Sequence, residues 1–403
     1  MPQIQLPDFM AITCGLIAYL LGEGINNRVP LLRRLSIPDP VTGGLLVAAL
    51  FYALHAAGVA EIGFDTHARD ILLLIFFTGI GLNARVADLL KGGRPLVILV
   101  ALTAILLLAQ MLVGGLAAMI AGLPMGMGAV LGSTALLGGH GTVIAWSPEL
   151  TARGLTGAPE IGIAVATLGL VVGSVVGGPL GGFLIGRGNL ASEEPDEVNP
   201  VGLSDTAPAH EPITRNALMR TLLWLYICII LGFVAQQLIL EFGLMLPLFV
   251  PCLIAGMVVG NLMSLVPFVR PVSHTAALSL VSEFALGVFL AVSLMTLQLW
   301  ALAGMAGTLI AVLAAQTAMA LAFSYFLVFR LLGRDYPAAV LTAGYSSFVL
   351  GATPTAIATM TAVTKRYGPS QSAFIVLPLV SALFVDLANA LVTQGYLNLW
   401  TSR

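Results

Sequence analysis

Apolar runs long enough to cross a membrane recur along the whole chain, and the stretch at 95–121, with LVILVALTAILLLAQMLVGG inside it, is a plain case. About twenty helical residues span the roughly 30 Å of a hydrocarbon core. Of the 403 residues, 58% are hydrophobic and only 9% are charged, whereas soluble domains carry roughly 25% charge. That is too little charge to cover a surface facing water. A β-barrel is excluded too, because its strands alternate over segments of about ten residues. The composition therefore requires an all-α, multi-span membrane protein.

A net charge of −2 points to no nucleic acid and no acidic partner. Cys14, Cys228 and Cys252 lie in or beside apolar runs without metal-like spacing, and read as small buried hydrophobes. The opening MPQIQLPDFM has neither a basic n-region nor a small-residue cleavage site, so the first apolar run is expected to be a retained helix.

Ten spans are expected, at about 9–25, 40–60, 71–90, 95–121, 160–186, 217–240, 246–267, 276–300, 303–329 and 371–397. Segments 126–148 and 337–361 are interrupted by Gly, Pro, Ser and Thr, and are expected as re-entrant hairpins. Such breaks need protein or water around their free backbone groups. With the N-terminus outside and each hairpin returning to its own side, fourteen of the 17 Lys and Arg fall in cytoplasmic loops. Arg69, Arg153 and Arg403 fall outside. Both termini are then periplasmic. The acidic, Pro-containing stretch 188–214 reads as a flexible cytoplasmic linker between halves 1–187 and 215–403.

The halves match at a register of 213 residues: Pro38 with Pro251, Gly43 with Gly256, Asp70 with Glu283, Asn83 with Thr296, Gly138 with Gly351, and Thr142 with Thr355. Five spans per half force the second half to enter from the opposite side. That is the inverted-repeat plan of secondary transporters, with substrate and ion sites at the midplane.

The first hairpin carries GSTALLGGHGTVIAW (132–146) and the second SSFVLGATPTAIATM (346–360). Gly138, Gly139 and Gly141 let backbone approach a ligand, and Thr142 is placed to cap the helix that follows. Thr353 before Pro354 reads as an N-cap followed by the residue best suited to the first helical position. Two helix N-termini ending inside the membrane would receive carboxylates, which makes a dicarboxylate a natural substrate. Close helix packing is the bland alternative for these glycines. Asp386 lies inside the last span with Asn389 on the same face, a pair fit for an ammonium or a sodium ion, or for a packing hydrogen bond. The run TGIGLNA around Asn83 suggests local unwinding with carbonyls free for a cation. Asp70 and Glu283 are as readily interface anchors. His140 either couples transport to protons or is a satisfied structural histidine, and Arg366 is read as a cytoplasmic anchor rather than a carboxylate partner. Gly173, Gly177 and Gly181 read as a close-packing face.

IPDPVTGGLL (37–46), FFTGIGLNA (76–84), GGHGT with its following Trp (138–146), LGATPTAIA (350–358) and the span around Asp386 and Asn389 resemble the bacterial sodium/glutamate symporter family nearly end to end. The resemblance implies Na⁺-driven import of L-glutamate across the bacterial cytoplasmic (inner) membrane. It also implies a homodimer and an elevator-like movement of a hairpin-bearing core, with lipid as surroundings and no enzymatic activity. By position, Gly138, Gly139, His140, Gly141, Thr142, Gly351, Thr353, Pro354 and Thr355 match the family's two re-entrant loops, and Asn83, Asp386 and Asn389 its polar intramembrane positions. Substrate contacts are expected at Gly141, Thr142, Ser347, Thr353, Pro354, Thr355, Asp386 and Asn389. Na⁺ contacts are expected at Asn83, Gly139, Gly351 and Asp386. The chain departs from the family in GYSSFVLG and at Leu137, which stands in place of a small polar residue.

The competing readings are a carrier of another di- or tricarboxylate, such as aspartate or citrate, with the same architecture, and a channel or intramembrane enzyme. No TVGYG-like filter or charged ring supports a channel. No HExxH or GxSxG supports hydrolysis.

Overall fold

The structure, a computed structural model, describes residues 3–34, 37–59, 61–65, 67–84, 86–192, 213–241, 246–263, 265, 270–297 and 305–401. Most of the expected linker, residues 193–212, lies outside the described residues, as do 298–304 at the ends of two expected spans.

In lipid every backbone group must be bonded within the chain, and the fold is helical accordingly. α1 (Asp8–Arg28), the short α2 (Pro30–Arg34), α3 (Asp39–Ala56) and α4 (His67–Asn83) come first. α5 (Val86–Ile120) is kinked where Gly93 takes φ 56, just before Pro95. A 3-10 turn at Met125–Gly128 and the one-turn α6 (Ser133–Leu136) precede α7 (Gly139–Ala152) and the long α8 (Ala158–Gly188). The second half holds α9 (Arg215–Glu241), α10 (Phe249–Met263), α11 (Ala276–Met295) and α12 (Ala306–Phe323), the last running through a π turn into α13 (Phe329–Leu331). α14 (Tyr336–Phe348), α15 (Thr353–Tyr367) and α16 (Gln371–Val380) follow, then a π turn at Ser381–Val385 and α17 (Asp386–Trp400).

Among the described residues seven helices are long and apolar enough to cross a membrane: α1, α3, α5 from Gly93, α8, α9, α11 and Ala306–Leu331. The other three expected spans are shorter or broken. α4 has 17 residues and α10 has 15, and α16 is separated from α17 by its π turn. Both segments expected as hairpins fold as helix pairs, α6 with α7 and α14 with α15.

One departure from the helical expectation is a parallel two-stranded ribbon of β1 (Gln3–Leu6) and β2 (Glu61–Phe64). It forms where Gln5 lies over Gly63, a position with no side chain to obstruct it.

The helices sort into two bodies by contact. In one, α1, α3, α4, α9, α10 and α11 pack mutually; in the other, α5 to α8 pack with α12 to α17. The first body is held by backbone-to-backbone approaches, and a Cβ added at Gly43 would stand 1.7 Å from the Ala18 carbonyl oxygen. The bodies meet along a narrow seam of α7 with α11, α10 with α17, and α4 with the second π turn. There the Trp146 ring meets the Phe249 ring edge-on at 6.2 Å.

Gly43→Leu should therefore prevent assembly of the first body, since overpacking at backbone costs at least about 1–3 kcal/mol. The readout is loss of the monodisperse peak in size-exclusion chromatography. Gly24→Ala, where an added Cβ meets nothing within 4 Å, should leave that peak intact.

Candidate functional site

The two interrupted helix pairs turn back at one place on α8. A Cβ at Gly169 would lie 2.3 Å from the Leu350 carbonyl oxygen and 2.8 Å from Leu136 Cδ2, so one residue of α8 touches both turns. Further along, the expected close-packing face is present. Gly173 abuts the Ser347 carbonyl, Gly177 the Ser347 hydroxyl, and Gly181 the Ala343 methyl. Ser347, expected at the substrate, is fully buried and shares a 2.8 Å hydrogen bond with Thr359 across its own helix pair.

The α7 start differs from expectation in its cap. The helix begins at Gly139, which takes φ +70, a conformation that glycine reaches without strain. Gly138 is the capping residue and supplies no side chain. Thr142 is therefore inside the helix rather than a cap, and its hydroxyl donates back to the Gly138 carbonyl at 2.9 Å. Open space lies beside the turn: a Cβ at Gly139 would meet nothing within 4 Å, and one at Gly141 only Leu286 at 4.0 Å. His140 is buried, and its Nε2 lies 2.9 Å from the Thr167 hydroxyl. Since that hydroxyl donates its proton to the Ile163 carbonyl, His140 donates from Nε2. Such a bond ties α7 to α8 and fits the structural role for this histidine.

The α15 start is also displaced from expectation. Its cap is Ala352, with Thr353 and Pro354 in the first turn. The reason lies three residues on, where the Thr355 hydroxyl accepts from the Ala352 N–H at 3.1 Å and donates to the Ala352 carbonyl at 2.6 Å. Thr353 instead shares a short hydrogen bond with Ser381, the first residue of the π turn. Pro354 is exposed. Gly351 is buried, with Leu170 Cα 3.3 Å from where its Cβ would be.

Asn389 and Asp386 share a helix face but not their surroundings. Asn389 is fully buried and holds the first turn: it accepts from the Ser133 hydroxyl at 3.1 Å and donates to the Ser133 carbonyl at 3.2 Å. Thr393 and Thr134 extend that cluster at 3.0 Å. Asp386 is half-buried and makes no hydrogen bond or ion pair among the described residues.

Asn83 stands apart from this group. α4 is helical as far as Asn83, its last residue, so TGIGLN is not unwound; Gly81 is pressed against the Leu253 carbonyl and Gly256 against that of Thr78. Its side chain accepts from the His274 N–H at 2.8 Å within the first body. Thr296 caps the end of α11. Asp70 pairs with its neighbour Arg69 at 2.6 Å, and Glu283 is exposed. Arg366 lies about 20 Å along α15 from Thr353 by helical rise, with its guanidinium over Tyr367, which fits the anchor reading.

Two residues not singled out from the sequence complete the site. Gln110 of α5 is fully buried and donates to the Val349 carbonyl at 2.8 Å, where α14 ends. Gln316 of α12, also fully buried, donates to the Gln110 carbonyl at 2.8 Å and to that of Leu131 at 3.0 Å. Together they tie both turns to the flanking spans. Their signal was present, since a lone amide in a long apolar span is costly unless bonded.

Fold and site together describe a multi-pass helical membrane protein whose broken helices end against one another, a plan suited to moving a solute. The chain belongs to the sodium/glutamate symporter family, whose model matches residues 4–369. A sodium/glutamate symporter of Haemophilus influenzae is 40% identical over 377 residues, 93% of either chain. One of Escherichia coli is 39% identical over 396 residues, 98% of either chain. Among solved structures, a sodium/proton antiporter of Methanocaldococcus jannaschii superposes with a TM-score of 0.44 at 17% identity, over 97% of this chain and 98% of its own.

Replacing Asn389 by Ala leaves Ser133 without its partner and should cost about 1–3 kcal/mol, seen as a lower melting temperature in detergent. Thr355→Val should weaken ligand binding more than Thr142→Val, because the Thr355 hydroxyl bonds two groups of Ala352 and the Thr142 hydroxyl one carbonyl. Isothermal titration of both variants checks the order.

Proposed function

We propose that this protein imports L-glutamate in symport with Na⁺ across the bacterial cytoplasmic membrane, and that it is a transporter and not an enzyme. What carries the reading is family membership together with 39–40% identity to named sodium/glutamate symporters over nearly the whole chain. The substrate carboxylates sit at the N-termini of α7 and α15, near Gly141, Thr142, Thr353 and Thr355, where free N–H groups and the positive helix end favour anions. The half-buried, unpartnered Asp386 takes Na⁺ or the substrate ammonium. Glutamate carries one net negative charge, and bringing it inward costs about 2.3 kcal/mol per 100 mV of interior-negative potential. Co-transported Na⁺ reverses that cost.

The proposal extends to architecture: ten spans and two re-entrant hairpins in two inverted repeats, with the hairpin-bearing body moving against the other in a homodimer. Element order supports it. At the 213-residue register α3 corresponds to α10, α4 to α11, and α5 from Gly93 to Ala306–Leu331. α7 likewise corresponds to α15, and α8 to 371–400. The narrow seam between the bodies is what sliding requires. Cross-contacts also fit the proposed orientation, since segments assigned to one side bond each other: β1 with β2, Arg153 with Asn398, and Ser192 with the Pro369 carbonyl.

Purified protein in proteoliposomes should accumulate labelled glutamate only under an inward Na⁺ gradient. Uptake unchanged when K⁺ or choline replaces Na⁺ overturns the coupling, and stronger competition by citrate or aspartate than by glutamate reassigns the substrate. Asp386→Asn should raise the Na⁺ concentration for half-maximal uptake about tenfold, the equivalent of ~1.4 kcal/mol.

A further inference from the structure

Two arginines of the first body share one cavity. It measures about 260 Å³, lies at the start of α9 and α11, and is lined by Arg220, Thr221, Arg270, Ala276 and Ala277 among others. A neighbouring space shares both arginines and adds Thr214, Asn216, Met219 and Leu223. Neither arginine has an ion pair or hydrogen bond among the described residues, and no Asp or Glu lines either space. Arginine at a membrane edge is ordinary. Two around one cavity repel each other unless something neutralises them.

A buried hydroxyl opens on the same place. Thr221 is 1% exposed, lines the cavity and has no hydrogen bond among the described residues. Threonine inside a helix readily donates to the carbonyl four residues back, as Thr103, Thr142 and Thr167 do here. Thr221 does not, so its proton is left for a group in the cavity.

The 20-residue α11 also begins here. Its cap Thr275 accepts from the Leu278 N–H at 3.3 Å, which leaves the amides of Ala276 and Ala277 without a partner in the helix. That start is tied to α4, because the preceding His274 donates its N–H to Asn83 at 2.8 Å.

Every polar group gathered here donates. Guanidinium forks, a hydroxyl and the positive end of a helix suit a tetrahedral oxyanion. An amino acid suits them poorly, since its ammonium would find no carboxylate in the lining. The apolar space lined by Leu218, Leu222, Leu280 and Phe284 shares no residue with the cavity, and Thr214, Asn216 and Arg270 at the mouth are exposed. A soluble ion therefore suits the cavity better than the head of a lipid.

We propose that this cavity binds a soluble phosphate, as the inorganic ion or a small monoester, held by Arg220, Arg270, the Thr221 hydroxyl and the α11 amides. The site belongs to the body without the interrupted helices, so it is separate from the site for the transported solute.

Isothermal titration of the purified full-length protein with inorganic phosphate and with glycerol 3-phosphate tests this. Saturable binding is expected, and phosphate should raise the melting temperature. Arg220→Gln and Arg270→Gln should each weaken binding about tenfold or more, and Thr221→Val about threefold, as charged and neutral hydrogen bonds differ. Arg270→Lys should keep only part of the affinity, because lysine lacks the fork. Should Arg220→Gln not fold, Arg270→Gln, at an exposed side chain, gives the same reading. Binding that survives loss of both arginines, or no saturation at millimolar phosphate, overturns the proposal. Displacement of phosphate by L-glutamate assigns the cavity to the transported solute and overturns it. Native mass spectrometry supplies the last arm. Phosphatidylglycerol retained through Arg270, with neither soluble phosphate bound, makes this a lipid-headgroup site and overturns it too.

Discussion

Backbone groups that end inside a membrane find no water, and here that constraint falls on two turns, around Leu131–Gly139 and Val349–Thr353. Most of the polar structure of the second body answers it. Gln316 covers the carbonyls of Leu131 and Gln110, Gln110 covers that of Val349, and Asn389 covers that of Ser133. The amides come from α5, α12 and α17, so three helices are held to the turns by bonds that cannot be traded for water. Glycine on α8 then brings the turns close enough to share one residue, Gly169. Removing one amide exposes an unpaired carbonyl in a low-dielectric setting, where its loss costs most.

The two bodies are built on different principles. The first relies on close approach of helix backbones, with few polar links. The second combines a glycine face with the amide network, and its largest buried side chains, Trp146, Tyr345 and Phe348, lie in or beside the interrupted pairs. Between them stand mainly rings and aliphatic groups, such as Trp146 against Phe249 and the Leu286 methyl near Gly141. Apolar contacts are non-directional, so a seam of this kind can slip without breaking a network, which suits the proposed movement.

Much of this was legible in the sequence because membrane spanning imposes length and composition. Apolar runs announced the helices, and breaks such as GGHGT and ATPT announced the turns. Gly173, Gly177 and Gly181 announced the face against α14. What stayed hidden depended on single hydrogen bonds. Thr142 and Thr353 looked like caps by residue type, but a cap is decided by where the helix starts. That depended on Gly139 adopting a left-handed conformation and on Thr355 reaching back to Ala352. Asn83 followed suggestive glycines that instead serve backbone contact with α10. Gln110 and Gln316 were missed because a lone amide has no spacing to read. The β1–β2 ribbon joins segments far apart in sequence, with only four residues in each.

The position of α8 in the chain gives its glycine face a meaning in time. α8 emerges from the ribosome with its partners α6 and α7 already made, whereas α14, which fills the rest of that face, begins at Tyr336. For more than half of translation after α8, a strip of bare backbone faces lipid or a temporary neighbour. Assembly of the second body therefore cannot be completed in order of synthesis. It closes only when the last sixth of the chain folds back onto a helix that has been waiting for it.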